Sequence, residues 1–155
     1  VIALRVDIGP VTSSFRSGER VVDVPIGTAV LVAQLVNDPP APEELTNALG
    51  LVSDHIDDVV RAIPEVVDAT AVEVRGAAMR AVVAVELGHD AVPAQFALGR
   101  DAADDVFRTV ATEPRADRAA NPGLAADDVD DVVAACCFVL ALMRRLHLDE
   151  VTVVE

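Results

Sequence analysis

Hydrophobic and polar positions change their period several times along the chain, and each change marks an element. Val1–Ile8 (VIALRVDI) is rich in β-branched residues and runs into Gly9-Pro10, a strand followed by a turn signal. Val11–Phe15 reads as a second, weaker strand, Ser17-Gly18 as a turn, and Arg20–Ile26 (RVVDVPI) as a third strand. Strands joined by connections this short are antiparallel neighbours. Gly27–Val36 predicts a helix that stops before Asn37-Asp38-Pro39-Pro40. Pro42, Glu43 and Glu44 suit the first turn of the next helix, where a missing N–H does no harm and carboxylates complement the dipole. Its apolar face is Leu45, Leu49, Val52, Ile56, Val59 and Ile63, at steps of three and four.

Ala69–Val74 follows as a short strand, then Gly76 and a helical stretch through Leu87-Gly88. Asp101–Ala111 and Pro114–Ala120 suggest two further short helices before the break at Asn121-Pro122-Gly123. Ala126–Leu146 carries the clearest helical signal, with Asp127 and Asp128 at its start and Arg144-Arg145 at its end. Val129, Val132, Val133, Cys136, Leu140 and Met143 line one face, and Phe138, Val139 and Leu142 widen it. A helix apolar on more than one side is expected between layers. Val151–Val154 closes the chain as a buried strand. This order matches an α/β fold of the RNase H-like lobe kind, a mixed sheet of about five strands flanked by helices.

Composition narrows the functional classes. A chain of 155 residues suggests one domain, and 52% hydrophobic residues supply enough core to offset the ordering entropy, which excludes disorder. The formal charge of −14 opposes non-specific binding to nucleic acid or to an anionic membrane surface, and the arginines are scattered rather than gathered in a patch. No charge-free apolar run is long enough for a bilayer, and no stretch resembles a signal peptide. Cys136 and Cys137 are adjacent, ill-suited to ordinary disulfide geometry, and sit in an apolar run. They read as small core residues of a protein in a reducing cytoplasm. The chain opens at Val1 rather than Met, already in a strand pattern, as expected of an excised domain or an incomplete chain.

Several short stretches stand in a telling order. They are Val6-Asp7-Ile8-Gly9, Val24-Pro25-Ile26-Gly27, and Asp38-Pro39-Pro40 with Glu43-Glu44-Leu45. Asn121-Pro122-Gly123-Leu124 and Asp131-Val132-Val133-Ala134-Ala135 follow, closed by Leu146-His147-Leu148-Asp149-Glu150-Val151-Thr152-Val153. Together they resemble the second lobe of the exopolyphosphatase and pppGpp phosphohydrolase (Ppx/GppA) family, within the actin, sugar-kinase and heat-shock-chaperone superfamily. The first stretch stands where that family has an Asp-Ile-Gly-Gly-Gly-Ser-Thr-Glu phosphate loop, and the second resembles its Leu-Pro-Leu-Gly. The later ones are similar to its Pro-Gly-Leu and Ala-Asp-Val-Ile-x-Ala-Gly runs. The resemblance implies a single domain, 1–155, that is one lobe of a larger two-lobed protein. It implies Asp7, Gly9, Thr12, Ser13, Gly27 and Gly76 as the remnant of a phosphate site, and Asp7 as the metal carboxylate. It also implies phosphoric anhydride hydrolysis with Mg2+ wherever the family activity survives.

The departures bear on that activity. Glycines let successive N–H groups approach an anion with no Cβ in the way, but Pro10 and Val11 replace two of them. The loop glutamate falls near Ser14, a family arginine becomes Val30, a Gly-Gly-Thr turn becomes Arg75-Gly76-Ala77, and a helix glycine aligns with Cys136. The catalytic glutamate of the family belongs to its first lobe. The expectation is a non-catalytic interaction or structural lobe, with a phosphohydrolase component completed by a first lobe as the alternative. The partner is then a protein, the missing lobe or a second copy.

Other candidates have two readings each. Arg75 and Arg80 flank Gly76 and hold an anion there, or are solvated surface charges. Asp127, Asp128, Asp130 and Asp131 have the composition of a hard-cation site, but carboxylates also favour a helix N-terminus without any metal. His55, His89 and His147 show no ligand spacing and read as surface or capping residues. The cysteine pair lacks Cys-x-x-Cys spacing.

Overall fold

A computed structural model describes residues 2–155. Strand β1 (Ile2–Ile8) turns at Gly9–Thr12 into β2 (Ser13–Ser17), which turns again into β3 (Arg20–Val24); each pair is antiparallel, with Val6 opposite Phe15 and Phe15 opposite Val22. Helices α1 (Thr28–Val32) and α2 (Pro42–Ala62) and a 3₁₀ turn at Pro64–Asp68 lead to β4 (Ala69–Arg75), parallel to β1. Then come α3 (Ala77–Leu87), β5 (Gln95–Gly99), α4 (Arg100–Thr112), α5 (Arg115–Arg118), α6 (Asp128–Arg145) and β6 (Glu150–Val154). The strand order is β3-β2-β1-β4-β6-β5, with β6 parallel to β4 and antiparallel to β5.

The α/β class and the mixed sheet are as the pattern predicts, but the sheet has six strands rather than five. The additional one, β5, contains no β-branched residue, follows Pro93 and buries only Leu98 completely, as an edge strand does. Boundaries also move: β2 runs on to Ser17, β3 ends at Val24 rather than Ile26, and α5 is shorter than Pro114–Ala120. The Gly9–Thr12 turn uses Val11, so β2 starts at Ser13; and α1 stops at Val32, leaving Val36 82% exposed.

Alternation along the strands sorts the sheet into two faces. Leu4, Val6, Ile8, Phe15, Val24, Val72, Val74, Val151 and Val153 are buried on one face. Ala3, Arg5, Asp7, Arg16, Asp23 and Ala71 are exposed on the other, where Arg5 pairs with Glu73 at 3.5 Å. The core lies under the first face. Every residue of α6 from Val132 to Met143 is buried, and the helix packs against α1, α2, α3 and α4. Phe138 stacks on Phe15 of β2, ring centroids 6.3 Å apart, tying this helix to the sheet. On α2, Ala48, Val52, Ile56 and Val59 form the buried stripe. No described helix is long and apolar enough to cross a membrane.

Candidate functional site: the cleft at the carboxyl ends of β1 and β4

Parallel β1 and β4 end side by side, with Asp7 opposite Arg75. In α/β sheets, ligands bind outside the carboxyl ends of such strands. A cleft of about 230 Å³ lies there, lined by Ile8, Gly9, Pro10, Thr28, Gly76, Met79 and Asp131 among others.

The turn after β1 determines what this cleft can do. Gly9 N–H donates to Thr12 O at 3.1 Å, which folds the turn back on itself. The carbonyls of Gly9 and Pro10 then point at the start of α1. Gly9 O accepts from Thr28 N–H at 3.0 Å, and Pro10 O accepts from Ala29 at 2.9 Å and Val30 at 3.4 Å. These are the donors that a helix start otherwise leaves free for an anion. Gly27 permits the approach: a Cβ there would collide with Gly9 O and stand 2.5 Å from the Pro10 carbonyl carbon. Gly76 has φ 150°, and a Cβ on it would lie 2.8 Å from Ile8 O. The glycines of the motif are thus occupied by backbone meeting backbone.

The other expected residues are placed less centrally. Ser13 is buried, and its hydroxyl donates to Ile26 O at 2.7 Å, inside the sheet rather than in the cleft. Thr12 is exposed on the turn. Asp7, expected as a phosphate and metal carboxylate, belongs to the exposed sheet face, because it alternates with Ile8, which lines the cleft. Ser14 donates to the Asp23 carboxylate on that same face. Arg75 also alternates away from the buried Val74, and Arg80 pairs with Glu155 at 2.9 Å, so the two arginines do not form a clamp.

The cleft's ionisable group is Asp131, in the first turn of α6. Burial raises its pKa above the ordinary aspartate range, and the nearby Asp128, Asp130 and Asp127 raise it further. No cationic side chain lines the cleft. Among the described residues, no group of three or more His, Cys, Asp or Glu side chains is arranged to hold a metal ion. Within the acidic cluster, Asp130 instead pairs with Arg115 at 3.0 Å. Among the described residues, the side chains that line the cleft offer a hard cation one carboxylate, that of Asp131.

The three histidines lie in separate places. His55 is 3.8 Å from Asp58, His89 Nδ1 accepts Ala91 N–H at 3.2 Å, and His147 follows α6 with φ 54°. Cys136 and Cys137 are free and fully buried. Burial pushes the Cys137 thiol up to about 12 and Cys136 well above the usual range, so neither is a ready nucleophile. Sequence reasoning missed Pro10 O and Thr28 N–H as partners, since backbone acceptors leave no side-chain signature. Asp131 stood in the sequence as one of four acids read as a hard-cation site or as helix-start carboxylates, and nothing in its spacing separated it from Asp127, Asp128 and Asp130 as the one that lines the cleft.

Three antiparallel strands extended by parallel β4 and β6, with a cleft at their carboxyl ends, define an α/β lobe of the actin-like ATPase fold. No known family profile and no curated protein matches this sequence. Solved structures do match. An exopolyphosphatase-like protein superposes with a TM-score of 0.90 at 18% identity, over 99% of this chain and 55% of the other. The Aquifex aeolicus Ppx/GppA enzyme gives 0.87 at 16%, over 100% and 54%. An exopolyphosphatase from Cytophaga hutchinsonii gives 0.76 at 17%, over 99% and 53%. The chain spans about half the length of these structures, and at such identities the likeness is one of fold.

Proposed function

We propose that this chain is a Ppx/GppA-like lobe that has lost phosphate chemistry and serves as an interaction or structural unit. One observation carries the reading: the N–H groups at the start of α1 are taken by the carbonyls of Gly9 and Pro10. A phosphate loop works by aiming free N–H groups at the anion. A phosphoryl oxygen entering this cleft meets carbonyl oxygens and the Asp131 side chain, with no cation to offset them. The reading also places the chain in a bacterial cytoplasm, consistent with two buried, free thiols. Its partner is a protein surface, which includes a first lobe or a second copy.

The test is phosphate release from polyphosphate and from pppGpp with Mg2+ present. Release no greater than from heat-inactivated protein is expected; release clearly above that control overturns the reading. Titration of labelled polyphosphate in low salt is the companion measurement, and tight binding with a steep salt slope would equally count against it. A second reading is favoured by one fact, the twofold greater length of the solved structures. In it, the chain is a phosphohydrolase component completed by a first lobe. Release that appears only when a first lobe with an intact Asp-x-Gly-Ser-Asn loop is supplied would select this alternative.

A further inference from the structure

Arg118, the last residue of α5, is the one buried charged residue among those described, at 4% exposure. A guanidinium brings five N–H donors, and burying donors without acceptors is costly. Here Nη1 donates to Val110 O at 3.0 Å, Nη2 lies 3.8 Å from Asp130 Oδ1, beyond hydrogen-bond reach, and Nε has no partner. Burial lowers its pKa, while Asp130 and Asp38 act in the opposite sense and keep it a cation. This under-satisfied group borders a cavity of about 140 Å³ between α5, the start of α6 and the segment after α1.

The rest of the lining states what would fit. Arg115 is already engaged: its Nε and Nη2 donate to Asp130 at 3.0 and 3.3 Å, and its N–H donates to Asp38 Oδ1 at 2.6 Å. The second oxygen of Asp38 accepts no hydrogen bond among the described residues. Two guanidinium groups and two carboxylates cancel, so a ligand with net negative charge gains nothing from the cavity as a whole and is opposed by the −14 of the chain. A ligand with both signs is matched, one to Arg118 and one to Asp38. The remaining wall is mostly apolar, with Val32, Leu35 and Val133, the exposed Val36, and Pro40, and one further polar side chain, Asn37.

We propose that this cavity binds a small zwitterion of the aliphatic α-amino acid class. The carboxylate meets Arg118, the ammonium meets the free oxygen of Asp38, and the side chain lies against Val32, Leu35 and Val133. This inference is independent of whether the lobe hydrolyses phosphate.

The experiment is calorimetric titration of the full chain with L-leucine, L-valine, isovalerate and inorganic phosphate. Saturable binding of at least one amino acid is expected, with isovalerate weaker by roughly tenfold or more because it lacks the ammonium. Phosphate is expected to give no heat. Leu35→Trp fills the cavity without touching the Arg118 hydrogen bonds and is expected to abolish binding while the circular dichroism spectrum stays unchanged. Asp38→Asn is expected to weaken the amino acids and leave isovalerate unchanged. No heat from either amino acid up to about 10 mM would overturn the proposal. So would equal binding of isovalerate, stronger binding of phosphate, or full binding by a folded Leu35→Trp variant.

Discussion

Gly27 and Pro10 show how one residue type can serve opposite ends. In a phosphate loop, glycine removes a Cβ so that an anion can approach; here the space beside Gly27 holds the Pro10 carbonyl. Proline has no N–H to offer but keeps its acceptor, and that acceptor faces Ala29. His147 shows the converse, a side-chain-bearing residue where glycine is favoured. It sits just past the end of α6 at φ 54°, and Leu148 N–H closes the helix end on Met143 O at 2.8 Å. The left-handed region costs a non-glycine residue about 1–2 kcal/mol. Glycine itself loses about 0.5–1 kcal/mol to its freer unfolded chain. His147→Gly is therefore expected to stabilise the fold by about 0.5–1 kcal/mol. Urea denaturation measures this, and a fall in the midpoint would show that the imidazole makes a contribution larger than the backbone relief.

Among elements, those with long apolar periodicity were legible and those set by backbone contacts were not. The stripe Leu45, Leu49, Val52, Ile56, Val59 and Ile63 marks helix α2, although Leu45 and Leu49 are only half-buried, Ala48 is buried in their place and Ile63 falls just past the last helical residue; the apolar run from Val129 to Met143 lies in α6 as its spacing predicts. Strand β5 was missed because its alternation rests on two residues, Phe96 and Leu98, with no β-branching beside them, and its pairing with β6 is an edge contact. In the candidate site, Gly9 and Gly76 line the cleft and Gly27 packs against the Gly9–Pro10 turn, but a glycine in the sequence does not reveal what fills the space it leaves. The start of α2 is better marked, by Glu44. Its carboxylate accepts Ala41 N–H at 2.8 Å, Val36 N–H at 2.8 Å and Asn37 N–H at 3.2 Å, holding the preceding segment onto the helix. Ala41 has no side-chain acceptor, so only this half of a capping box exists. The Ala41 hydrogen bond, with those of Val36 and Asn37, lowers the Glu44 pKa below its ordinary value of 4.5 despite some desolvation. A depressed carboxylate adds stability that is complete above the ordinary glutamate value and disappears as pH falls through the folded one. Glu44→Gln is thus expected to lower stability at pH 7 and to shrink the loss on acidification below about pH 4.5. Parallel urea titrations at neutral and acid pH check this, and an unchanged pH dependence would contradict it.

For the molecule as a whole, the decisive feature is that one helix serves the entire core. Helix α6 touches α1, α2, α3 and α4, and its Phe138 reaches the sheet through Phe15. With helical packing gathered on one sheet face, the described residues form one core, and none of it is independent of this helix. A sheet and helices that share one core in this way are expected to unfold in one cooperative step. Cys136 and Cys137 sit in the middle of α6 with no exposed surface, and their raised pKa values keep them as thiols. They are internal probes of that step. In a urea series, modification of the two thiols by a chromogenic disulfide reagent is expected to follow the same midpoint as the loss of helical circular dichroism. Essentially no labelling should occur in the native baseline. Labelling that runs well ahead of the circular dichroism change would mean that α6 opens while the sheet and outer helices persist, and the single-core account of this lobe would then be wrong.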